Sequence, residues 1–444
     1  MDTIMHKNLS CLQKEIRSYR NLIRIQPYDI DAHQNLGETY IKIGRYQNAV
    51  EEFKQVLLLK SDYPNAYCSL GIAYNNLNQC HEAIKFIKQA IRLNPNYAEA
   101  YYNLGVSCSQ LDLFQEAIDE LMQAIRLRPN YAEAYFLLAI MYARLGNHQT
   151  EIESYKEVIR IKPHHDKVHC NLGVTYLTLG RFREAVEELG EAILIKPEYA
   201  EAYHNLGLAY YGLGLYKEAV EAYEQVIRIN PSEEVYFDLG VANNKRGDYY
   251  SAIEAYKEVI CRNPNNKHIK PALAEAYYNE GNIESYKQAI RLKPDFVDAY
   301  CNLGEIYIAK GFYPEAVESY ERAVRIKPAI VEAHYNLGLA YNILGRHQEA
   351  VESFKQVIFL KPDYAEAYYS LGLSYYELNH YPEAVEAYKH AINIKPDCAD
   401  VYYNLGEACL ELNDKNSALE AYKTLKNLHE GLAEDLFDLI RQKC

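Results

Sequence analysis

The sequence has few of the features that identify a membrane protein, a nucleic-acid-binding protein or an enzyme. No run of about 18 apolar residues is present, so no transmembrane helix is predicted. Acidic residues outnumber basic residues by 61 to 47, and the net charge of −14 argues against nucleic acid as the main partner. The first residues, MDTIMHKNLSCLQKEI, lack the apolar segment of a secretory signal. We therefore expect no nucleic-acid partner and no membrane insertion.

Catalytic and metal-binding motifs are also missing. The chain contains no glycine-rich phosphate loop, no nucleophile elbow and no HExxH motif, so we predict no catalytic residue, no cofactor and no enzymatic activity. The best candidate for a metal site is His165 with His169, whose spacing of four residues could hold a metal if both were helical. The surrounding pattern places His169 at a core position and His165 in a turn, so we predict no metal site.

The ten cysteines include no CxxC pair and are scattered along the chain. Cys108 and Cys409 replace a tyrosine in a recurring apolar pattern, where they are interpreted as small core residues. Free thiols in a reducing compartment are the simplest interpretation, and we therefore expect a cytoplasmic protein.

Tryptophan is absent, whereas tyrosine accounts for 44 residues, because tyrosine recurs at fixed places in a repeated unit. Aligned on a leucine, the units follow one another every 34 residues, except for one interval of 33 and one of 30. The aligned leucines are Leu36, Leu70, Leu104, Leu138, Leu172, Leu206, Leu239, Leu273, Leu303, Leu337, Leu371 and Leu405. Such a period indicates stacked supersecondary units, none of which can bury its apolar face alone.

The pattern inside each unit predicts two helices joined by a turn. With the aligned leucine at position 7, apolar or small residues at positions 4, 7, 8, 11 and 14 form one helical stripe. Those at positions 17, 20, 21, 24, 27 and 28 form a second stripe. Position 15 holds glycine, asparagine or aspartate, which tolerate the left-handed conformation that ends a helix. Proline at position 32, such as Pro231, ends the second helix.

These units resemble the tetratricopeptide repeat (TPR) family. The resemblance rests on an aromatic residue at position 4, Leu at 7, Gly at 8, Tyr at 11, Ala at 20, Tyr or Phe at 24, Ala or Val at 27 and Pro at 32, and the unit 200–232 matches at every one. The matching units cover about residues 30–430. The resemblance implies an all-α fold, a right-handed superhelical solenoid of about twelve repeats. It is similar to the repeat region of O-GlcNAc transferase, without a catalytic domain.

The repeats divide the chain into five segments. The segments are 1–29, an N-terminal half-repeat; 30–266, repeats 1 to 7; 267–296, a divergent repeat 8; 297–430, repeats 9 to 12; and 431–444, a C-terminal capping helix. In the half-repeat, residues 12–26 resemble an unpaired second helix, and no first helix precedes it. Repeat 8 lacks four residues of its second helix and carries Pro271, which requires its first helix to begin nearby. We therefore expect a hinge near residues 265–285.

The resemblance implies that the first helices line a concave groove and that partner contacts come from positions 2, 5, 6, 9, 12 and 13. Position 6 is asparagine in seven repeats: Asn35, Asn103, Asn171, Asn205, Asn302, Asn336 and Asn404. A side-chain amide both donates and accepts, so a ladder of amides could bind the backbone of an extended peptide, as the likeness to O-GlcNAc transferase implies. The alternative is that these amides bond the neighbouring repeat.

Positions 5 and 9 are largely aromatic and aliphatic. The predicted groove residues are Tyr102, Phe136, Phe237, Tyr335, Tyr369 and Tyr403 at position 5, and Leu208, Leu339 and Leu373 at position 9. Such a stripe suits an amphipathic helix or an apolar peptide, unless neighbouring repeats of a tightly wound superhelix cover it.

Position 2 is acidic in nine of twelve repeats. Acids near the start of a helix interact favourably with its dipole, and this structural explanation is sufficient unless the partner is basic. The chaperone-adaptor members of the family begin their carboxylate clamp with Lys at position 5 and Asn at position 9. Neither occurs here, so a heat-shock chaperone tail is not the expected partner.

These features predict a non-enzymatic scaffold that binds a peptide or a helical segment of a partner protein in its groove. Two alternatives remain open. One is a targeting or regulatory subunit of a separately encoded enzyme such as a glycosyltransferase. The other is a structural protein that self-associates through its terminal repeats.

Overall fold

The structure is a computed structural model that describes the backbone of residues 2–443 and the side chains of residues 11–443. Met1 and Cys444, the ends of the two predicted terminal segments, lie outside the described residues. Twenty-six α-helices make up the regular structure of the described part, so the predicted all-α repeat fold is confirmed. The helices fall into two compact units, Met1–Pro231 and Ser232–Cys444.

The first unit contains thirteen helices. They are α1 Asp2–Ile25, α2 Ile30–Lys42, α3 Tyr46–Leu59, α4 Pro64–Asn76, α5 Cys80–Leu93, α6 Ala98–Gln110, α7 Phe114–Leu127, α8 Ala132–Arg144, α9 His148–Ile161, α10 Asp166–Thr178, α11 Phe182–Ile195, α12 Ala200–Gly212 and α13 Tyr216–Ile229. From α2 onward, each even-numbered helix is the first helix of a repeat and the odd-numbered helix after it is the second.

The second unit continues the same alternation and ends with a capping helix. Its helices are α14 Glu233–Arg246, α15 Tyr249–Arg262, α16 Ile269–Glu280, α17 Ile283–Leu292, α18 Val297–Ala309, α19 Tyr313–Ile326, α20 Val331–Ile343, α21 His347–Leu360, α22 Ala365–Glu377, α23 Tyr381–Ile394, α24 Ala399–Glu411, α25 Lys415–Leu428 and α26 Glu430–Gln442.

The turn inside each repeat has the predicted left-handed residue at position 15. Gly214 has a φ of 74° and Asn379 a φ of 60°, and the other ten position-15 residues also have positive φ. The backbone therefore reverses at the same place in every repeat, and the two helices of a repeat pack side by side.

Close packing in repeat 6 depends on Gly207 at position 8, which is glycine in ten repeats and alanine in two, at Ala139 and Ala274. A Cβ atom added to Gly207 would lie 2.4 Å from the ring of Tyr223, the position-24 residue of the same repeat. The first and second helices can approach this closely only because position 8 has no side chain. The core is completed by leucine at position 7 and alanine at position 20, for example Leu36 and Ala49, which are both buried.

Each unit curves with its first helices on the inner side. In the first unit α4 contacts α6 and α10 contacts α12, and in the second unit α22 contacts both α20 and α24. Within the described parts of each unit, consecutive second helices make no comparable contact. Because the first helices are closer together than the second helices, the side that they line is concave.

Repeat 8 is shorter than the others, as its sequence indicates. Its second helix, α17, has 10 residues, whereas second helices such as α15 and α19 have 14. The first helix, α16, begins at Ile269, so Pro271 lies in its first turn, where a missing N–H leaves no helical hydrogen bond unmade. Repeat 8 lies inside the second unit, and a hinge at 265–285 remains a prediction.

The N-terminal half-repeat is longer than predicted. A single helix runs from Asp2 to Ile25, so the expected start near residue 12 is wrong by ten residues. No proline or glycine interrupts residues 2–12, and the helix therefore continues toward the N-terminus. Leu22 and Ile25 of this helix are exposed. Among the described helices, none combines the length and the apolar content needed to cross a bilayer.

Candidate functional site

The candidate site is the surface formed by positions 2, 5, 6, 9, 12 and 13 of the first helices, which we call the first-helix face. In the first unit it carries seven of the predicted side chains, on five of the six first helices: Asn35, Tyr102, Asn103, Phe136, Asn171, Asn205 and Leu208. In the second unit it carries Phe237, Asn302, Tyr335, Asn336, Leu339, Tyr369, Leu373, Tyr403 and Asn404. Each unit therefore has its own stretch of this face.

The six aromatic residues at position 5 are half-buried, and five of them pack against the turn that leads to the next repeat or against the second helix. The ring of Tyr102 lies 5.1 Å from that of Tyr131, and the ring of Tyr335 lies 5.2 Å from that of Tyr364. The guanidinium of Arg128 in turn covers Tyr131 at 4.5 Å. Part of each position-5 ring remains open to solvent, so it is available for contact.

The aromatic residue at position 34 and the base at position 31 border the first-helix face, although neither was predicted from the sequence to be part of the site. The same base-on-ring stacking recurs for Lys60 and Tyr63, Lys196 and Tyr199, Lys293 and Phe296, and Lys361 and Tyr364. The signal was present in the sequence as a Lys/Arg-Pro-x-Tyr/Phe segment at four of these five repeat boundaries, with Ser61 in place of proline at the other. These pairs hold the inter-repeat turn against the face and add an apolar edge to it.

The aliphatic row at position 9 is partly covered and partly open. Leu208 is 37% exposed, whereas Leu339 and Leu373 are half-buried. Neighbouring repeats therefore cover some of this row, as the structural alternative predicted, and an open edge of each side chain remains. An apolar strip of this kind is able to exclude water from a bound segment.

Most position-6 amides are engaged in hydrogen bonds within the protein. Asn171 donates to the Tyr155 hydroxyl at 3.3 Å, and Asn302 donates to the Tyr278 hydroxyl at 3.0 Å. Both tyrosines belong to the preceding repeat, as the structural alternative for these amides requires. In these repeats the asparagine holds two repeats together through its N–H group.

The other amides bond differently. Asn103 and Asn205 donate to the backbone carbonyls of Glu99 and Glu201, one turn earlier in their own helices, at 2.8 and 2.9 Å. Asn35 is exposed, and its side chain makes no hydrogen bond with a described residue. The side-chain oxygens of Asn35 and Asn205 are left as acceptors that a peptide N–H could use, whereas Asn103 is buried.

All nine acidic residues at position 2 are exposed. Lys162 pairs with Glu133 at 2.5 Å, and this bond lowers the pKa of the Glu133 carboxyl, while Lys395 pairs with Glu366 at 3.4 Å. The remaining seven make no ion pair with a described residue. The edge of the first-helix face is consequently acidic in both units, which matches the chain's net charge of −14.

The histidines considered for a metal site take up other roles. His169 is buried, and its Nδ1 and Nε2 atoms lie 2.7 Å from Glu188 and 2.9 Å from the Pro163 carbonyl oxygen. His165 precedes α10 and stacks on Phe136 at 5.8 Å. The two histidines therefore point to different partners, and no group of three metal-binding side chains is found among the described residues.

We expect replacement of His169 to weaken the dependence of stability on pH. Its pKa is raised above the usual 6.5, first by the hydrogen bond to Glu188, because both ring nitrogens face acceptors and protonation satisfies both. This contribution is fully present below pH 6.5 and is lost as pH rises through the folded pKa. His169→Tyr, which introduces the usual position-4 residue, should flatten the profile of urea midpoints between pH 6 and pH 9.

The control for this prediction is His81→Gln, which changes an exposed histidine of α5. It should leave the slope of the profile unchanged. An unaltered slope in His169→Tyr would show that the His169–Glu188 pair is not the group that titrates.

Comparison with protein families supports a single relationship. The profile described as "TPR repeat" matches more than half of the chain, at residues 37–78, 73–112, 113–146, 175–214, 279–311, 304–344, 340–379 and 372–413. Two further profiles are described as "Tetratricopeptide repeat". One matches residues 200–233, and the other matches residues 132–165, 233–266 and 399–428. No curated protein sequence matches the chain.

Solved structures with a similar fold are repeat proteins of low sequence identity. YrrB, described as a TPR protein with an unusual peptide-binding site, is 19% identical over 42% of this chain and 96% of its own, with a TM-score of 0.39. The C-terminal part of a TPR repeat-containing protein from Cytophaga hutchinsonii is 20% identical over 53% of this chain and 98% of its own, with a TM-score of 0.47. A chain of the Naa15/Naa10 complex bound to HypK-THB is 16% identical over 99% of this chain and 77% of its own, with a TM-score of 0.34.

Proposed function

The chain belongs to the tetratricopeptide repeat family, and we propose that it is a non-enzymatic scaffold whose first-helix face binds an extended segment of a partner protein. A TPR scaffold fits protein–protein interaction in general. The observation that supports this binding role is the presence of partly open aromatic and aliphatic rows that flank amides with unused acceptor oxygens.

The apolar rows would supply most of the affinity. Rings at position 5 and aliphatic side chains at position 9, such as Tyr335 and Leu339, are half-buried and lie one helical turn apart on one face. Covering such partly exposed groups with the side chains of a ligand removes apolar surface from water. The same surface is costly to expose in a protein without a partner.

The position-6 amides would supply orientation. Their N–H groups are largely used inside the protein, as in Asn205, so their side-chain oxygens are the groups that remain for a ligand. An acceptor at regular intervals suits the N–H groups of an extended backbone, which are present in any sequence except at proline. The ligand should therefore be an extended segment rather than a helix, because a helix uses its own N–H groups.

The first test is a double substitution of two amides that do not join repeats, Asn35→Ala with Asn205→Ala. Peptides selected by display on the full-length protein serve as probes. The loss of two neutral hydrogen bonds should weaken binding about tenfold, measured by fluorescence anisotropy. A matched control, Asn393→Ala with Asn416→Ala, removes two exposed amides from second helices and should leave the affinity unchanged.

A second arm tests the role of the peptide backbone. The same selected peptide, N-methylated at alternate peptide bonds, cannot donate from those positions and should bind more weakly to the wild-type protein. The double variant should discriminate less between the methylated and the unmethylated peptide. If both proteins bind both peptides equally, the amides do not contact the ligand backbone and the proposal fails.

The cysteines indicate the cellular compartment in which this function takes place. Nine cysteines of the described part are unpaired, which suits a reducing compartment, and we place the protein in the cytoplasm. Two alternatives remain predictions. The protein would be a targeting subunit of a separately encoded enzyme, or it would self-associate through its terminal repeats.

A further inference from the structure

An aromatic side chain at position 34 covers the position-5 ring of its own repeat in several places. The ring of Tyr131 lies 5.1 Å from that of Tyr102, and the ring of Tyr364 lies 5.2 Å from that of Tyr335. In repeat 4 the imidazole of His165 takes this place, 5.8 Å from the position-5 ring. The segment between two repeats therefore closes one edge of the first-helix face with a ring.

The base at position 31 also has a partner on the first helix, the acid at position 2 of its own repeat. Lys162 pairs with Glu133 at 2.5 Å in repeat 4, and Lys395 pairs with Glu366 at 3.4 Å in repeat 11. Positions 2 and 5 lie one helical turn apart on the same face. A segment that carries a base and, three residues later, an aromatic side chain therefore matches an acid and a ring on the first helix.

Repeat 7 retains the acid and the ring but lacks both of the residues that cover them. Glu234 occupies position 2 and Phe237 position 5, whereas positions 31 and 34 are Asn263 and Asn266. Glu234 is exposed and makes no ion pair with a described residue. The ring of Phe237 is half-buried and stacks at 5.9 Å on Tyr256 of its own second helix. Its other side has no ring from the segment that follows.

A cleft of about 680 Å³ lies beside this ring and carboxylate, and we call it the repeat-7 cleft. Its lining residues are Ser232, Glu233, Glu234, Phe237, Asn266 and His268. The volume is within the range of roughly 300–1,000 Å³ that is usual for ligand sites. In repeat 11, where Cys398 replaces the aromatic residue but Lys395 is kept, the cavity beside Tyr369 measures only about 60 Å³. The loss of both covering residues in repeat 7 thus leaves room for a side chain of another molecule.

Hydrogen bonds fix the segment between α15 and α16 beside the cleft. The Glu233 carboxylate accepts hydrogen bonds from the side-chain amides of Asn266 at 2.6 Å and Asn263 at 3.2 Å. The side-chain oxygens of these asparagines accept from backbone N–H groups of the same segment, those of Asn265 at 3.2 Å and His268 at 2.9 Å. Because both amide groups are engaged at both ends, neither asparagine is free to fold over the position-5 ring. The cleft is therefore formed before any ligand arrives.

We propose that the repeat-7 cleft binds an aromatic side chain of the partner segment, together with a base three residues before it. The inference rests on the proposed function, because the segment must lie along the first-helix face. The ring stacks on Phe237 and the base pairs with Glu234, as the residues of positions 34 and 31 do in other repeats. The partner thus supplies from outside the two side chains that repeat 7 lacks.

The lining of the cleft favours this ligand over an aliphatic or an acidic one. An aromatic ring gains from offset stacking on Phe237 in addition to the burial of its area, whereas an aliphatic side chain gains from burial alone. The carboxylates of Glu233 and Glu234 repel an acidic side chain and attract a basic one. The spacing of one helical turn between Glu234 and Phe237 sets the distance between the base and the ring of the ligand.

The probe is a peptide that copies residues 127–132 of this chain, which hold a base and a tyrosine at the required spacing and no acid. The parent peptide is acetyl-Leu-Arg-Pro-Asn-Tyr-Ala-amide, and two matched peptides replace its tyrosine by alanine or its arginine by the neutral isostere citrulline. Titrations of the full-length protein, followed by saturation-transfer NMR, give the affinities. The parent should bind about tenfold more tightly than the alanine peptide and about fivefold more tightly than the citrulline peptide.

Variants of the protein then assign this binding to the cleft. Asn263→Lys combined with Asn266→Tyr supplies the missing pair from within the chain and should lower the affinity for the parent peptide at least tenfold. Glu234→Gln should abolish the preference for arginine over citrulline and keep the preference for tyrosine over alanine. The matched control, Asn265→Tyr, adds a ring to the same segment at an exposed residue outside the lining and should leave all three affinities unchanged.

A stability measurement separates blocking of the cleft from misfolding. The combined variant recreates contacts that other repeats make, so its thermal midpoint should equal or exceed that of the wild-type protein. If the midpoint falls instead, Glu234→Gln decides the question, because it changes an exposed side chain that has no described ion pair. A loss of the arginine preference in this variant then supports the cleft, and an unchanged preference rejects it.

Two further results would overturn the inference. Equal affinities of the wild-type protein for the parent and alanine peptides, or no binding of either, would show that the cleft does not receive an aromatic side chain. Unchanged binding of the parent peptide to a stable combined variant would place its site elsewhere. The amide test is separate, because Asn35 and Asn205 lie in the first unit: its failure with a persistent tyrosine preference would reject backbone binding alone, and the reverse result would reject the cleft alone.

Discussion

Phe354→Ala should destabilise the second unit by about 3–5 kcal/mol. Phe354 is 0% exposed, and its ring packs against the backbone of Gly338, where an added Cβ would lie 2.7 Å from it. Truncation leaves a cavity between α20 and α21 that the two helices cannot fill without moving the whole hairpin. Since each repeat contacts only its neighbours, repeats 9 and 11 should lose stability next.

A phenylalanine on the same helix provides the control. Phe359 lies five residues further along α21 and is 78% exposed, so Phe359→Ala should change the free energy of unfolding by no more than about 0.5 kcal/mol. Urea titrations of the full-length chain, followed by circular dichroism, measure both changes. Equal losses for the two variants would mean that burial in the hairpin is not what stabilises this repeat.

Gly207→Ala should destabilise the first unit by about 1–3 kcal/mol, even though alanine is the better helix former. The added Cβ would meet carbon atoms of the Tyr223 ring at 2.4–2.8 Å, and real contacts of this kind are not that short. Tyr223 is itself buried, so the ring can yield only if the second helix moves away. The steric cost then exceeds the gain in helix propensity.

A second glycine of the first unit should respond in the opposite direction. Gly190 lies inside α11, and a Cβ added there would meet no atom within 4 Å. Gly190→Ala should therefore stabilise the chain by about 0.5–1 kcal/mol, because only the gain in helix propensity remains. Thermal unfolding of the two variants beside the wild-type protein gives the comparison. A stabilising Gly207→Ala would show that the two helices of a repeat are less closely packed than the structure shows.

Features that depend on backbone chemistry were predictable from the sequence. A residue that tolerates positive φ recurs at position 15, and the structure places Gly214 and Asn379 in that conformation. The position of Pro271 in the first turn of α16 follows from the N–H group that proline lacks. The period of the apolar residues likewise predicts which face of each helix is buried, because helical geometry fixes that relation.

Features that depend on the reach of individual side chains were not predictable. The sequence shows asparagine at position 6 in seven repeats, but it does not show that Asn302 bonds Tyr278, at position 12 of the preceding repeat, whereas Asn404 bonds Tyr369, at position 5 of the preceding repeat. Which tyrosine each asparagine bonds depends on small differences in helix spacing and on which hydroxyl is nearest. The extension of α1 to Asp2 was missed because polar residues without a breaker fit a helix and a loop equally well.

Chemical modification of the buried cysteines would report which repeats of the chain have opened. Cys68 and Cys170 in the first unit and Cys409 in the second are buried, and burial raises their pKa values to about 12, 11 and 11. A thiol reacts as its thiolate, so each of these groups is inert to alkylating agents and oxidants while its own repeat is closed. Modified cysteines would therefore identify the repeats that open first, and oxidative damage in a stressed cell would begin in the least stable part of the stack.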